Sequence, residues 1–397
     1  MGSPYPGGCT RILMLMHLLG EPTFWKSIHT FLDTYKFQPA TTDNFFDSMS
    51  KSSGVDLTGY KKQWYHTAAT PSLTASVFEG NLVIDQLQPY YTLDLPVWVL
   101  DGSKWVKKSI HVEGAESKLP LGNLAGKPLL VDPEVWTPME LGYAMPLTEH
   151  DVYELYTHAP NVAQKARIIS ELFDSISVSQ RIAIGHGETY FGLLQMIADR
   201  VGKDGESYLL ELSRNPDPRV VNSAVIALGR IKPGDSATAR LKEILNRNSN
   251  ELIREHAMQS LLNASTDPVL ALNAWNRNSF DDGFRVMAVN WWGEHQPEVA
   301  RKKCLEILKN PISEPVRVTA IRVLGRVKEG PTGNDVYRAL VKVAQETSFG
   351  AKTSAIQALA LIGNKAAIDI LKPIAAKAHG GVRGNALSAI EKLSKLE

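Results

Sequence analysis

The hydrophobic pattern of this 397-residue chain changes its period twice. Apolar residues recur every three or four positions up to about residue 66, alternate with polar residues from 71 to 146, and return to helical spacing from about 148. A period near 3.6 places apolar side chains on one face of a helix, and alternation places them on one face of a strand. The pattern therefore predicts a multi-domain, mainly α chain: a helical segment (1–70), a small β-sandwich (71–147) and an α-α superhelix (148–397).

The first segment is predicted to hold four helices. The dense apolar run from Thr10 to Leu19 indicates a buried helix. Thr23 and the Thr41-Thr42-Asp43 step are predicted to cap the next two helices, because their side-chain oxygens can accept hydrogen bonds from free backbone N–H groups of a first turn. The last helix is expected to begin at Asp56-Leu57 and to run towards Trp64.

The middle segment consists of short alternating runs separated by turn signals, a pattern that is typical of a small β-sandwich. Pro96 lies inside the third run and indicates an edge strand or a bulge, because proline has no backbone N–H to donate to a neighbouring strand. The predicted strands are Leu73–Val77, Leu82–Leu87, Leu93–Leu100, Trp105–Val112 and Leu129–Val131.

The last segment repeats itself around an alanine at intervals of 31 to 35 residues. The aligned alanines are Ala224, Ala257, Ala288, Ala320, Ala355 and Ala386. In five of the six repeats a basic residue lies three places before the alanine: Arg254, Arg285, Arg317, Lys352 and Arg383. A helix pair of this length cannot bury its apolar face alone, so neighbouring pairs must stack. The repeat predicts a HEAT-like α-solenoid.

Composition narrows the classes of partner. The formal net charge is +1, from 43 basic and 42 acidic residues, so no excess of positive charge favours nucleic acid or an anionic membrane. No apolar run is long enough to cross a bilayer and no signal peptide is recognised, so a soluble chain of unknown compartment is expected. Cys9 and Cys304 lie far apart and are predicted to be two buried thiols rather than a disulfide or zinc ligands.

Candidate chemistry is sparse. The sequence contains no His-Glu-x-x-His, no Gly-x-Ser-x-Gly and no phosphate-binding loop. Three histidines have a carboxylate four residues away: His17 with Glu21, His29 with Asp33, and His150 with Glu154. Two ligands without a third make a poor metal site, so these pairs are expected to form local hydrogen bonds or solvated pairs. No metal ligands and no complete active site are predicted from the residues alone.

The N-terminal segment nevertheless carries an ordered series of short motifs. They are Tyr5-Pro6-Gly7-Gly8, Leu18-Leu19-Gly20-Glu21, Phe24-Trp25, Thr41-Thr42-Asp43, Ser53-Gly54-Val55-Asp56-Leu57 and Gln63-Trp64. This series resembles the zinc aminopeptidases of the aminopeptidase N family, in which a helical catalytic lobe, a small β-sandwich and a C-terminal helical solenoid follow one another. The chain departs from the family at Gly7, where a lysine is usual, and at Ala69-Thr70-Pro71, where Gly-x-Pro is usual.

The resemblance implies functions for two residues. The family's tyrosine at the place of Tyr5 donates a hydrogen bond to the oxyanion of the tetrahedral intermediate, so Tyr5 is the expected catalytic residue. Basic residues of the family's C-terminal domain can bind the terminal carboxylate of a peptide, and Arg383 is the candidate for that contact. The family's zinc ligands lie upstream of the tyrosine, so this chain is expected to hold no cofactor itself and to be the C-terminal portion of a parent that holds zinc.

The resemblance also implies partners. The function of the chain and the role of its basic residues each have competing interpretations. A peptide would be the parent's substrate, the N-terminal and zinc domains would be neighbours of this chain, and the chain alone would be inactive. An exposed apolar helix at Thr10 to Leu19 would then favour weak self-association. A stand-alone HEAT scaffold that holds a partner protein is the competing function, and a degenerate peptidase relative whose parent has lost its zinc ligands is the third alternative. For the basic residues, ladders between stacked repeats compete with substrate contact.

Overall fold

The computed structural model describes residues 4–327 and 334–396, with the backbone alone for residues 4–6. The described residues form 20 α-helices and seven strands. The chain divides into two compact units, Met1–Val201 and Gly202–Glu397. The predicted fold class is confirmed, because the chain is mainly α, with small sheets and a run of paired helices. Among the described helices, none is both long enough and apolar enough to cross a membrane.

The first unit begins and ends with helices. Four precede the sheets: α1 (Pro4–Leu19), α2 (Glu21–Tyr35), α3 (Thr42–Ser53) and α4 (Thr58–Tyr65). Four follow them: α5 (Glu149–Thr157), α6 (Val162–Leu172), α7 (Val178–His186) and α8 (Phe191–Ala198). The limits at 70 and 147 that the sequence pattern suggests remain a prediction.

The helix starts show where the N-cap predictions succeed and fail. Thr41 caps α3, since its hydroxyl accepts a hydrogen bond from the Asn44 backbone N–H at 3.2 Å. The prediction for Thr23 is wrong, because α2 already begins at Glu21 with Pro22 in its first turn. Proline is well suited to that position, since it has no N–H to leave unpaired and its backbone angle is preset for a helix.

The sheets of the first unit share one hydrophobic core. One sheet has the strand order β5-β2-β1-β7 and the other β4-β3-β6. The strands are β1 (Ser72–Phe78), β2 (Asn81–Gln86), β3 (Leu93–Asp101), β4 (Lys104–Val112), β5 (Glu116–Pro120), β6 (Leu129–Val131) and β7 (Glu140–Tyr143). Buried side chains of both sheets belong to the same apolar cluster, for example Ile84 of β2 and Val97 of β3. This two-sheet arrangement agrees with the fold-class prediction.

Pro96 does not mark an edge, because β3 is the central strand of its sheet. β4 pairs along the whole of β3, whereas the pairing with β6 covers only Val97 to Val99. The Pro96 carbonyl accepts the backbone N–H of Asp132 at 2.7 Å, on the side where β6 has just ended. The N–H that proline lacks would point to this same side, so the ladder with β4 loses no hydrogen bond.

The second unit is a series of paired helices. Their bounds are α9 (Glu206–Leu212), α10 (Pro218–Arg230), α11 (Asp235–Arg247), α12 (Glu251–Ala264), α13 (Pro268–Trp275), α14 (Gly283–His295), α15 (Pro297–Lys309), α16 (Glu314–Leu324), α17 (Asp335–Ala344), α18 (Phe349–Ile362), α19 (Ala367–Lys377) and α20 (Gly380–Ser394). The six aligned alanines fall on the even-numbered helices from α10 to α20, and all six have 0% exposed surface. Each even-numbered helix contacts the next one, so the alanine column marks the stacked inner face.

Glycines on two of these helices and directly after a third allow a close approach to the following repeat. A Cβ atom at Gly229 would lie 2.7 Å from the Ser260 Cα, and one at Gly325 would lie 2.8 Å from the Ala358 Cβ. Gly293 faces Val323 in the same way, at 2.9 Å from its Cγ1. Backbone atoms cannot move aside as a flexible side chain can, so at Gly229 and Gly325 the stacking depends on the absence of a side chain.

Gly325→Ala is therefore expected to destabilise the second unit by about 1–3 kcal/mol, because the added methyl group forces α16 and α18 apart. The matched control is Gly384→Ala, since nothing lies within 4 Å of a Cβ at that exposed position inside α20. There alanine should stabilise the helix by about 0.5–1 kcal/mol. Thermal denaturation of the complete chain measures both changes, and equal shifts for the two variants would contradict the stacking role of Gly325.

Candidate functional site

Tyr5, the predicted catalytic residue, lies in the first turns of α1, but its side chain is outside the described part of the structure. The rest of α1 is firmly held. Leu15 is fully buried in a cluster with Phe24 and Phe46. The Tyr60 hydroxyl donates a hydrogen bond to the Arg11 carbonyl, and burial of this phenol raises its pKa well above the usual value. The helix that carries Tyr5 is thus fixed to α2 and α3 near Leu15 and to α4 at Arg11.

The Gln63-Trp64 motif joins the helical segment to the sheets. The Gln63 side-chain amide accepts the Thr92 backbone N–H at 3.0 Å and donates to the Thr92 carbonyl at 3.1 Å. The Trp64 ring lies 5.2 Å from the ring of Tyr91, whose hydroxyl donates to the Ala69 carbonyl at 2.7 Å. These contacts give the motif a structural role, since they link α4 to the start of β3.

A cleft of about 620 Å³ opens beside this junction. Its walls come from the end of α1, from α4 and the turn before it, from the start of β3 and from the loop after β6. His17 stacks on Trp136 with ring centroids 5.0 Å apart, and Asp94 accepts a hydrogen bond from His111 at 2.7 Å on the exposed rim. Among the described lining residues no nucleophile contacts a general base, and the walls present aromatic surface and hydrogen-bonding groups.

The basic residues before the repeat alanines have different surroundings. Arg317 bonds Glu346 at 2.6 Å, and Arg285 bonds Asn278 at 2.8 Å and pairs with Asp282. Arg254 lies 3.8 Å from the nearest carboxylate oxygen, and Lys352 is half-buried. Arg383 on α20 is exposed, and the described residues give it no ion pair. The column therefore contains residues that pair within the second unit, such as Arg317, and the exposed Arg383.

The cysteines and histidines add no site. Cys304 is buried as predicted, and burial raises the pKa of its thiol to about 12. The prediction of a buried thiol is wrong for Cys9, which is exposed on α1. No group of three metal-ligating side chains that includes a histidine or a cysteine occurs among residues 7–327 and 334–396. One group of three carboxylates does occur there, formed by Glu251, Glu255 and Asp281. The sequence indicates only part of this group, because Glu251 and Glu255 are four residues apart on α12 whereas Asp281 is distant in sequence.

The chain is similar to HEAT repeats and to aminopeptidases N. A model of HEAT repeats matches residues 187–262 and 301–391. Aminopeptidase N of Escherichia coli strain K12 is 34% identical over 70 residues, which are 18% of this chain and 8% of that protein. Aminopeptidase N of Lactococcus lactis subsp. lactis strain IL1403 is 23% identical over 198 residues, which are 48% of this chain and 20% of that protein. The chain thus matches at most a fifth of the length of these two relatives.

One solved structure also aligns with the chain. The crystal structure of Legionella pneumophila aminopeptidase A in complex with aspartic acid aligns with 97% of this chain and 50% of that one, with a TM-score of 0.49 and 13% sequence identity. Together with the sequence matches to aminopeptidase N and to HEAT repeats, the motif series identifies the chain as similar to the C-terminal portion of aminopeptidase N-like proteins.

Proposed function

We propose that this chain is the C-terminal region of a zinc aminopeptidase that removes N-terminal residues from peptides. The observation that carries the proposal is the match to aminopeptidase N over 198 residues, nearly half of the chain. The 397 residues contain no His-Glu-x-x-His, so in this proposal the zinc ligands belong to an upstream segment of the enzyme. Zinc would supply an activated water there.

In this proposal Tyr5 stabilises the transition state. Attack on a peptide carbonyl places negative charge on its oxygen, and a phenol that donates a hydrogen bond to that oxygen lowers the barrier because the interaction is stronger in the transition state than in the substrate. The contacts of α1 with Phe24, Phe46 and Tyr60 favour this role, since a donor must be held in position before the charge develops.

The repeats have a second role in the proposal: they border the substrate path and limit which peptides can enter. Arg383 would bind the terminal carboxylate of a peptide, because a guanidinium can pair with both carboxylate oxygens. Its exposure on α20 favours this contact over a role between repeats. Arg317 already bonds Glu346 and is less available.

The isolated chain is expected to release no N-terminal residue from peptides, because it lacks the zinc motif. An aminoacyl fluorogenic substrate measures the rate, with Escherichia coli aminopeptidase N as the positive control and with and without a chelator. Chelator-sensitive hydrolysis by the 397 residues alone would contradict the proposal. A His-Glu-x-x-His encoded within about one hundred residues before Tyr5 would favour the enzyme, whereas a natural start at Met1 would favour the HEAT scaffold.

A further inference from the structure

The second unit contains a carboxylate cluster that the proposed aminopeptidase function does not use. Glu251 and Glu255 lie one turn apart on α12, and Asp281 lies in the loop before α14. One carboxylate oxygen from each acid lies within 4.8 Å of the other two. Charges of one sign at this distance repel each other, so the arrangement needs a compensating positive charge.

The described residues supply little of that charge. Arg254 approaches the cluster, but its Nη2 remains 3.8 Å from the Glu251 Oε2. The neighbouring Arg285 is engaged elsewhere, with Asp282 and Asn278. Three carboxylates therefore face one distant guanidinium, and the imbalance points to a partner that carries more than one positive charge.

A second, independent observation points to a ligand. Glu255 is only 8% exposed, and its Oε1 has no hydrogen-bond partner of normal geometry in the described part of the chain. The buried Oγ of Ser279 also has none, although this hydroxyl is near enough to the Glu255 carboxylate to lower its pKa. A buried carboxylate oxygen without a partner is costly, so it requires an explanation such as a bound ion.

The Glu255 carboxylate is directed at the loop that carries Asp281. A Cβ atom at Gly283 would lie 2.4 Å from the Glu255 Oε1, so only glycine leaves room for the carboxylate in this position. The other two acids are oriented by the same loop: Glu251 accepts the Phe280 N–H at 2.6 Å and Asp281 accepts the Gly283 N–H at 3.0 Å. The second oxygen of Glu251 lies 3.8 Å from the Arg254 Nη2, so no direct hydrogen bond joins it to this guanidinium.

We propose that Glu251, Glu255 and Asp281 bind a divalent cation of the size of Ca²⁺, with the Ser279 hydroxyl as a further oxygen ligand. Carboxylate and hydroxyl oxygens are the ligands of hard cations. Ca²⁺ accepts about six to eight oxygen ligands in flexible geometry, whereas Mg²⁺ demands near-octahedral geometry and usually keeps several waters with one or two carboxylates. A set of three carboxylates and a hydroxyl therefore fits Ca²⁺ better.

The ion would fasten the loop before α14 to α12 of the preceding repeat. Its role would be structural and local to the second unit, so the inference stands independently of the proposed peptidase activity. The competing explanation is a proton on Glu255, whose pKa is raised by burial and by the nearby Asp281 and Glu251 carboxylates. The experiment must therefore separate a bound cation from a bound proton.

Calorimetric titration of the complete, chelator-stripped chain with CaCl₂ tests the site at neutral pH. One Ca²⁺ should bind with a dissociation constant of about 10⁻⁴–10⁻³ M, as expected for a site with few charged ligands, and MgCl₂ should bind more weakly. Glu255→Gln and the exposed Asp281→Asn should each weaken Ca²⁺ binding about tenfold or more. The matched control is Glu243→Gln on α11, whose side chain is 47% exposed and pairs with Arg240, and it should bind as the unaltered chain does.

Three results would overturn the inference. The first is no saturable Ca²⁺ binding up to about 10 mM, well above the expected dissociation constant. The second is equal weakening by the control Glu243→Gln, which would show binding to scattered surface acids. The third is a Glu255→Gln variant with a higher melting temperature than the unaltered chain, when neither of these two proteins binds Ca²⁺. This outcome would show that Glu255 carries a proton. Asp281→Asn keeps the test valid if Glu255→Gln fails to fold.

Discussion

Replacing Asp132 by alanine is expected to lower the free energy of unfolding of the first unit by about 3–5 kcal/mol, because it removes one partner of a buried ion pair. Asp132 follows β6 and has 0% exposed surface. Its carboxylate accepts the backbone N–H groups of Trp136 at 3.1 Å and Thr137 at 2.9 Å. Arg167 of α6 is also buried, and its Nη1 lies 3.7 Å from the Asp132 Oδ2.

The loss of stability comes from groups that Asp132→Ala leaves unpaired rather than from a strong attraction between Asp132 and Arg167. Burial raises the pKa of Asp132 despite Arg167 and the two N–H donors, so the charged pair gives little net stabilisation by itself. Removing the carboxylate, however, leaves two backbone donors without an acceptor and weakens the neutralisation of Arg167, which keeps only Glu171 as an anionic partner among the described residues.

Thermal denaturation of the complete chain, with hydrogen exchange in peptides that cover residues 129–137, measures this effect in the unit concerned. The control is Asp101→Ala at the end of β3, since Asp101 pairs with Lys127 at the surface and should contribute less than about 1 kcal/mol. In addition, Asp132→Ala combined with Arg167→Met should be less destabilising than the sum of the single changes. Similar losses for Asp132→Ala and Asp101→Ala would rule out the buried pair as a key contact.

The repeats are the part of the fold that could best be predicted from sequence. The alanine column was predicted from spacing alone, and all six alanines are fully buried. This success has a physical reason. In every repeat the inner helix packs against the inner helix of the next repeat, and a small residue is needed at the same position of that contact. The glycines that permit the closest approach, such as Gly325, follow the same register.

Features that depend on distant residues could not be predicted in this way. β5 and β7 have only five and four residues, and neither has a fully buried position that would reveal an alternating pattern. Pro96 suggested an edge strand because the sequence does not show that β6 ends beside it. The carboxylate cluster depends on Asp281, which only the loop before α14 brings near Glu255.

The second large effect concerns Tyr5 in the proposed full-length zinc aminopeptidase. Tyr5→Phe removes one hydroxyl and keeps the ring, so the loss should be confined to the hydrogen bond to the developing oxyanion. Removal of one such donor typically lowers kcat about 10²–10³-fold, which corresponds to about 2.7–4 kcal/mol of transition-state stabilisation. KM should change little, because the bond is weak in the bound substrate and strong only in the transition state.

The decisive measurement is kcat for chelator-sensitive release of an N-terminal residue by the protein that carries both the upstream zinc motif and Tyr5, compared with its Tyr5→Phe variant at equal zinc content. The control is Tyr90→Phe, at a residue that is 48% exposed in the loop before β3. The proposal predicts a fall of about 10²–10³-fold for Tyr5→Phe and none for the control. An unchanged kcat for Tyr5→Phe, or a protein without zinc and without this activity, would contradict it.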